Sequence, residues 1–303
     1  MLGTRVVSGV LLVAALVLLL YIDQWLAPWH LLWFALTALA MGLGALEFSS
    51  LLEETPCRPS TRAVLGGVAA VLVANWIPHV SNVVGDSDRL SGLVHEPNAA
   101  VAVLAWPFLS FVGVLMVTFV AQSIKFETPG GAVATIAGTL LVVAYIGLLG
   151  SFIVQFRWFD GCKHGLIPLA FLIATAKGAD VGAYTVGRIA GRHKLWPAVS
   201  PNKTVEGAVG GLGFACLAAL IVETVTVYSG SVTGVGWGGA AVFGVVVGVV
   251  AQVGDLMESM IKRDCRRKDA SAVVPGFGGV LDVLDSLLFA APVAYGLWLF
   301  LGP

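Results

Sequence analysis

An all-α, polytopic integral membrane fold is predicted by three properties of this chain. Of its 303 residues, 58% are hydrophobic and only 12% charged, with a mean hydropathy of +0.92, far outside the usual soluble composition. The apolar residues gather into windows of about 20, the length that crosses the hydrocarbon of a bilayer. The basic residues concentrate in alternate connecting segments, as the positive-inside bias requires.

The windows run Val6–Ile22, Leu31–Ser50, Ala63–Val84, Ala99–Ala121, Ala132–Phe156, Ile167–Ile189, Val205–Val227, Gly236–Met257 and Leu284–Leu301, about nine transmembrane helices. With the N-terminus cytoplasmic, the inside segments carry Arg5; Arg58 and Arg62; Lys125; Arg188, Arg192, Lys194 and Lys203; and Lys262, Arg263, Arg266, Arg267 and Lys268. The outside segments carry Arg89, Arg157 and Lys163, and Lys177 lies within a span. Thirteen against three sets the orientation. The chain is expected in the cell (inner) membrane as a multi-pass protein, with its polar C-terminal loops facing the cytoplasm. The net charge of −1 decides nothing, because here the distribution matters more than the sum. One integral domain, 1–303, is expected: N-terminal helices over 1–130, and a half that carries the chemistry over 131–303.

Residues 1–27 have the charge and apolar run of a signal peptide, but no small-residue cleavage pattern and further spans behind it, so an uncleaved first helix is expected. Glu47, Glu53 and Glu54, with Arg58, read as a solvated helix end. Asp86, Asp88, Arg89, His95 and Glu96 read as an ordinary polar loop rather than a metal cluster. Cys57, Cys162, Cys216 and Cys265 have neither zinc-ligand nor disulfide spacing and are assigned to packing.

Polar residues enter the spans after the Pro129-Gly130-Gly131 break. Span six places Lys177, Asp180 and Tyr184 on one helical face, and an ionised residue inside a bilayer costs roughly 2.5–3.5 kcal/mol on insertion scales. Such residues either line a polar cavity or neutralise each other at i, i+3. The octet Ser200 to Gly207, S-P-N-K-T-V-E-G, stands at the mouth of span seven. There Ser200 or Thr204 can cap a helix whose free N–H groups, with Lys203, suit a phosphate. Gly207, Gly210, Gly211 and Gly213, and Gly244 and Gly248 in span eight, have the spacing of close helix contacts.

The densest charge lies between Gly254 and Ser286. Asp255, Glu258, Ser259 and Lys262 share one helical face, Asp282 and Asp285 share another, and Pro275-Gly276-Phe277-Gly278-Gly279 turns between them. A hairpin of two helices with acidic faces is expected. Asp255, Asp282 and Asp285 are hard oxygen donors of the kind Mg²⁺ takes, one or two at a time, while keeping room for phosphate oxygens. With Lys262, Arg263 and Lys268 around them they fit phosphoryl or nucleotidyl transfer, where positioning and charge neutralisation do most of the catalysis.

The stretch from Ser259, S-M-I-K-R-D-C-R-R-K-D-x-S, and that from Pro275 to Asp285, P-G-x-G-G-V-L-D-x-L-D, closely resemble the signature of the phosphatidate cytidylyltransferases, the CDP-diacylglycerol synthases. The D-x-G-A-Y from Asp180 to Tyr184 and the octet from Ser200 are similar to that family's in order and position. The resemblance covers about residues 175 to 290. It implies the reaction of CTP with phosphatidate to give CDP-diacylglycerol and pyrophosphate. On the matching positions it implies Asp255 and Asp282 as ligands of Mg²⁺, with Asp285 and Ser259 in or beside the shell, a second, monovalent cation being left open. Asp180, Lys203, Lys262, Arg263 and Lys268 become the catalytic set. Tyr184, Ser200, Thr204, Glu258, Asp269, Gly276, Gly278 and Gly279 become substrate contacts. The site would be a polar cavity open to the cytoplasm, with CTP and membrane phosphatidate as partners, no nucleic acid, and a homodimer in keeping with the Gly-rich spans. Two positions depart from the pattern: Phe277 where the family usually has His, and Val283 where it usually has Arg. Both remove a phosphate contact and leave every metal-ligand candidate in place.

Three rivals stand beside this reading. A cytidylyltransferase for a polyprenyl or ether-lipid phosphate keeps the chemistry and changes the lipid. A transporter would use Lys177 and Asp180 for ions and should have inverted repeats, which the chain lacks. A CDP-alcohol phosphatidyltransferase would need D-x-x-D-G-x-x-A-R, which is absent.

Overall fold

A computed structural model describes residues 2–27, 29–79, 99–159, 165–230, 234–271, 273 and 278–302. The outside-loop acids and Cys162, like Pro275, Gly276 and Phe277, lie outside them. The chain is an all-α polytopic membrane protein. Among the described residues eight helices are long and apolar enough to cross a bilayer. These are α2 (Leu31–Leu52), α3 (Thr61–His79), α4 (Ala105–Ile124), α5 (Ala132–Trp158), α6 (Leu166–Ala190), α7 (Val205–Tyr228), α8 (Gly236–Asp264) and α9 (Val280–Leu301). Ahead of them α1 spans Leu2–Asp23. The apolar windows located these helices to within a few residues because hydrophobic length alone dictates them.

Contacts divide the chain into two compact units. One comprises Met1–Gln155 with Asp269–Asp282, the other Phe156–Lys268 with Val283–Pro303.

In the first unit, α2 begins where the Asp23 carboxylate accepts the N–H groups of Leu32 and Trp33 at 3.0 and 3.1 Å, its other oxygen meeting His30 Nδ1 at 2.8 Å. Helices α3 and α5 are joined by neutral polar groups. Asn75 Nδ2 donates to Ser151 Oγ at 3.0 Å, and Gln155 Nε2 donates to Asn75 Oδ1 at 3.0 Å. Glu47 is not the solvated acid its neighbourhood suggested. It is 7% exposed, and it accepts from the N–H groups of Val280 and Leu281 at 3.0 and 2.7 Å and from Ser271 Oγ at 2.6 Å. A carboxylate from α2 therefore caps the free donors at the start of α9.

In the second unit, α6 and α7 pack closely through small residues. A Cβ on Gly207 would stand 2.8 Å from the Ala183 carbonyl, and one on Gly211 would stand 2.9 Å from that of Ala179. Helix α8 meets α7 the same way, where a Cβ on Gly244 would approach Cys216 Cα to 2.6 Å. These glycines serve packing inside the chain, as their spacing indicated, whereas a Cβ on Gly213 would touch nothing. Buried Glu223 of α7 accepts the N–H groups of Val235 and Gly236 at 3.2 and 2.9 Å, capping α8 as Glu47 caps α9. At 29 residues α8 is about 43 Å long, more than the roughly 30 Å of hydrocarbon, so its last turns from Asp255 onward can reach polar surroundings.

Between α6 and α7 stands a feature the sequence did not announce, an antiparallel hairpin of β1 (Lys194–Trp196) and β2 (Ser200–Thr204). The octet at the mouth of α7 is thus strand for its first five residues. Thr204, rather than Ser200, caps the helix, its Oγ1 accepting from Gly207 N at 3.1 Å. Glu206 holds the entry to the hairpin by accepting the N–H groups of Arg192 and His193 at 3.0 and 3.2 Å.

Candidate active site

Within the second unit α6, the hairpin, α7 and α8 enclose a cavity of about 410 Å³. Its lining includes Asp180, Tyr184 and Arg188 from α6, Leu195 from β1, Asn202, Lys203 and Thr204 from β2, and Gln252 and Asp255 from α8. Five of the candidate site residues read from the sequence therefore meet in one space: Asp180, Tyr184, Lys203, Thr204 and Asp255. They come from three separate motifs. What brings them together is the glycine-tight packing of α6 on α7 and the cap that starts α7 where the hairpin ends.

Charge in and beside the cavity is arranged as two ion pairs, one between the hairpin and α8 and one within α6. Lys203 Nζ sits 2.7 Å from Asp255 Oδ2, with both side chains about a quarter to a third exposed. One turn from Tyr184, Asp180 Oδ2 receives Lys177 Nζ at 3.0 Å. Lys177 also donates to Ser286 Oγ at 2.9 Å, and Ser286 Oγ donates to Asp180 Oδ2 at 3.2 Å. Lys177 and Asp180 thus do neutralise each other, and they do so beside a cavity. Asp285, buried on α9, lies in the electrostatic field of Lys177, Asp180 and Asp255. Ser286 and Gln252 were missed by sequence reasoning. Ser286 directly follows the signature's last Asp, which was the available signal. Gln252, whose Nε2 donates to the Ala208 carbonyl at 3.1 Å, gave none.

The remaining expected residues lie outside the cavity lining. On α8, Glu258 is buried and pairs with Lys262 at 2.5 Å, Ser259 is half-buried, and Arg263 is exposed. Lys268 is also exposed, and Ser200 lies in β2, partly covered. In the first unit, Asp269 is exposed, and Asp282 receives the N–H groups of Gly279 and Ala270 at 2.6 and 3.3 Å. Gly278 there has φ 101°, and a Cβ on it would stand 2.6 Å from Asp282 Oδ2, so both backbone and space demand glycine. Gly276 lies outside the described residues.

The donor set suits a hard divalent cation. Asp255 and Asp180 present carboxylates to one cavity, and the position against Asp255 already holds the positive charge of Lys203. Among the described residues no three His, Cys, Asp or Glu side chains gather into a cage.

The fold and the site together define a polytopic membrane protein whose second unit holds a cavity lined by two carboxylates and by a lysine at a capped helix start. Residues 3–301 match the Cytidylyltransferase family, and the chain belongs to it. It is 36% identical over 161 residues to a phosphatidate cytidylyltransferase of Bacillus subtilis (strain 168), covering 51% of this chain and 55% of that protein. It is 39% identical over 156 residues to one of Staphylococcus aureus (strain COL), with the same coverage. The chain thus spans about half the length of the curated relatives it matches.

Proposed function

We propose that the chain transfers the cytidylyl group of CTP to phosphatidate, giving CDP-diacylglycerol and pyrophosphate, in the cell (inner) membrane with its site facing the cytoplasm. An oxygen of the phosphatidate monoester forms a bond to the α-phosphorus of CTP as the bond from that phosphorus to the pyrophosphate oxygen breaks. The nucleophile is already an anion, so no strong base is needed, and the obstacle is bringing two anions together.

The observation that carries this reading is the meeting of Lys203, Thr204, Asp255, Asp180 and Tyr184 around one cavity. Asp255 and Asp180, with Asp285 beside them and Ser259 one turn along α8, are the residues that would hold Mg²⁺. Bound there, the ion supplies charge neutralisation to the triphosphate. Lys203 can swing from Asp255 to a phosphate oxygen, exchanging one oxyanion for another, and the start of α7 adds the positive end of its dipole. Asp180 is held by Lys177 and Ser286, which fixes its carboxylate before substrate arrives.

Purified protein should release pyrophosphate from CTP only when phosphatidate and Mg²⁺ are both present. A panel of lipid phosphates in place of phosphatidate tests the substrate. Faster turnover of a polyprenyl phosphate would replace phosphatidate in the reaction, and no pyrophosphate release with any lipid would remove the activity.

A further inference from the structure

We propose that Arg188, steadied by Tyr184, binds the phosphate monoester of the lipid substrate, so that the cavity has a lipid-phosphate end at Arg188 and a nucleotide end at Lys203 and Asp255. This rests on the reading of the chain as a lipid-phosphate cytidylyltransferase and goes beyond it by naming where the second anion sits.

Two cations line the cavity, Lys203 and Arg188. Lys203 is compensated by Asp255, as Lys177 beside the cavity is by Asp180. Arg188 differs. It lines the cavity, and its Nη1 donates to the Tyr184 hydroxyl at 3.0 Å. Among the described residues it makes no ion pair with a carboxylate. A phenol uses one of its five donors and none of its charge, leaving a planar fork that matches a phosphate. A place in the last turn of α6 stabilises a cation through the helix dipole without any ligand. That alone would leave the side chain free to follow solvent, whereas here it is tied across one turn to a ring that also lines the cavity.

The surroundings of the cavity supply the second observation. Leu195 of its lining is exposed, as are Ile189 one residue past Arg188 on α6 and Trp196 next to Leu195 on the hairpin. Exposed apolar side chains beside a phosphate site suit the acyl chains of a lipid substrate.

The test uses the full chain, purified in lipid nanodiscs, with Arg188→Gln, Arg188→Lys and Tyr184→Phe. Losing a charge-assisted contact should raise the KM for phosphatidate about ten- to a hundredfold in Arg188→Gln, with the KM for CTP unchanged. Arg188→Lys should fall between, since it keeps a point charge without the fork, and Tyr184→Phe should give a smaller rise of the same kind. A raised KM for CTP with that for phosphatidate unchanged would overturn the assignment. Equilibrium binding of radiolabelled phosphatidate without CTP reads the same contact independently of turnover: wild type should retain the lipid and Arg188→Gln should lose it, and equal retention would also overturn the assignment. Failure of wild type to make product from any lipid phosphate would sink the cytidylyltransferase reading instead, and the two failures are distinguishable because the first leaves product formation intact.

Discussion

Two sets of polar side chains lie among the apolar helices of this chain, and they follow opposite plans. Between α3 and α5, Asn75, Ser151 and Gln155 are each at most 2% exposed, and their donors and acceptors are spent on one another. Asn75 Nδ2 reaches Val71 O as well as Ser151, Gln155 Nε2 reaches the Asn75 carbonyl as well as its side chain, and His79 Nε2 meets Gln155 Oε1 at 3.0 Å. No formal carboxylate charge is involved. Around α6, α8 and α9 the polar groups form ion pairs, Lys177 with Asp180 on α6 and Lys203 of β2 with Asp255 of α8, that are partly open to a cavity. A closed neutral network removes the cost of burying amides and leaves nothing for a ligand. Half-open ion pairs keep charges that an incoming anion or cation can exchange, at a cost in the membrane that packing alone would not justify.

The comparison is best attacked where the expected effect is largest. Asp255→Asn should lower cytidylyl transfer by at least about a hundredfold, the scale of losing an electrostatic contact to a reacting phosphate. Thermal unfolding should hardly move, because the Lys203–Asp255 pair is partly solvated. Wild-type turnover in that variant would take Asp255 out of the mechanism. Lys177→Met is next. Among the described residues it leaves Asp180 held by the Ser286 hydroxyl alone, so kcat/KM should drop about tenfold while folded protein persists. Asn75→Ala should show the reverse pattern. It should lose about 1–3 kcal/mol of stability from the orphaned groups of Gln155 and Ser151, with both KM values unchanged. A shifted KM there would mean the neutral network is not purely architectural.

How much of this was legible follows from what each feature depends on. The spans were readable because hydrophobic length is local information. α9 starts at Val280 rather than at Leu284, since Asp282 looks like loop in an apolar window yet works as a cap for its own helix. The Lys177–Asp180 pair could be seen because i, i+3 lies on one helix face. The Lys203–Asp255 pair could not, because two helices and a hairpin decide it. The hairpin itself was hidden by its brevity: three residues paired with five carry no alternation to detect. Glu47 was hidden by company, since beside Glu53 and Glu54 it reads as a wet helix end, and its backbone partners lie more than two hundred residues further on.

Glu47 also supplies the finest test of the comparison, because it mixes the two plans: it is charged, as in the cavity, yet enclosed, as between α3 and α5. If closure is what separates structural from functional polarity, Glu47→Gln should behave like Asn75→Ala. The amide keeps one acceptor but turns a donor toward N–H groups of Val280 and Leu281 that already donate. It also removes the negative charge from the positive end of α9. The expected loss is about 1 kcal/mol, typical of a weakened helix cap, read as an earlier unfolding midpoint in the same nanodiscs. Turnover per folded molecule and the KM values for CTP and phosphatidate should stay at the wild-type level. If stability were kept and turnover lost, charge rather than closure would be the dividing line, and the start of α9 would have to be counted with the chemistry.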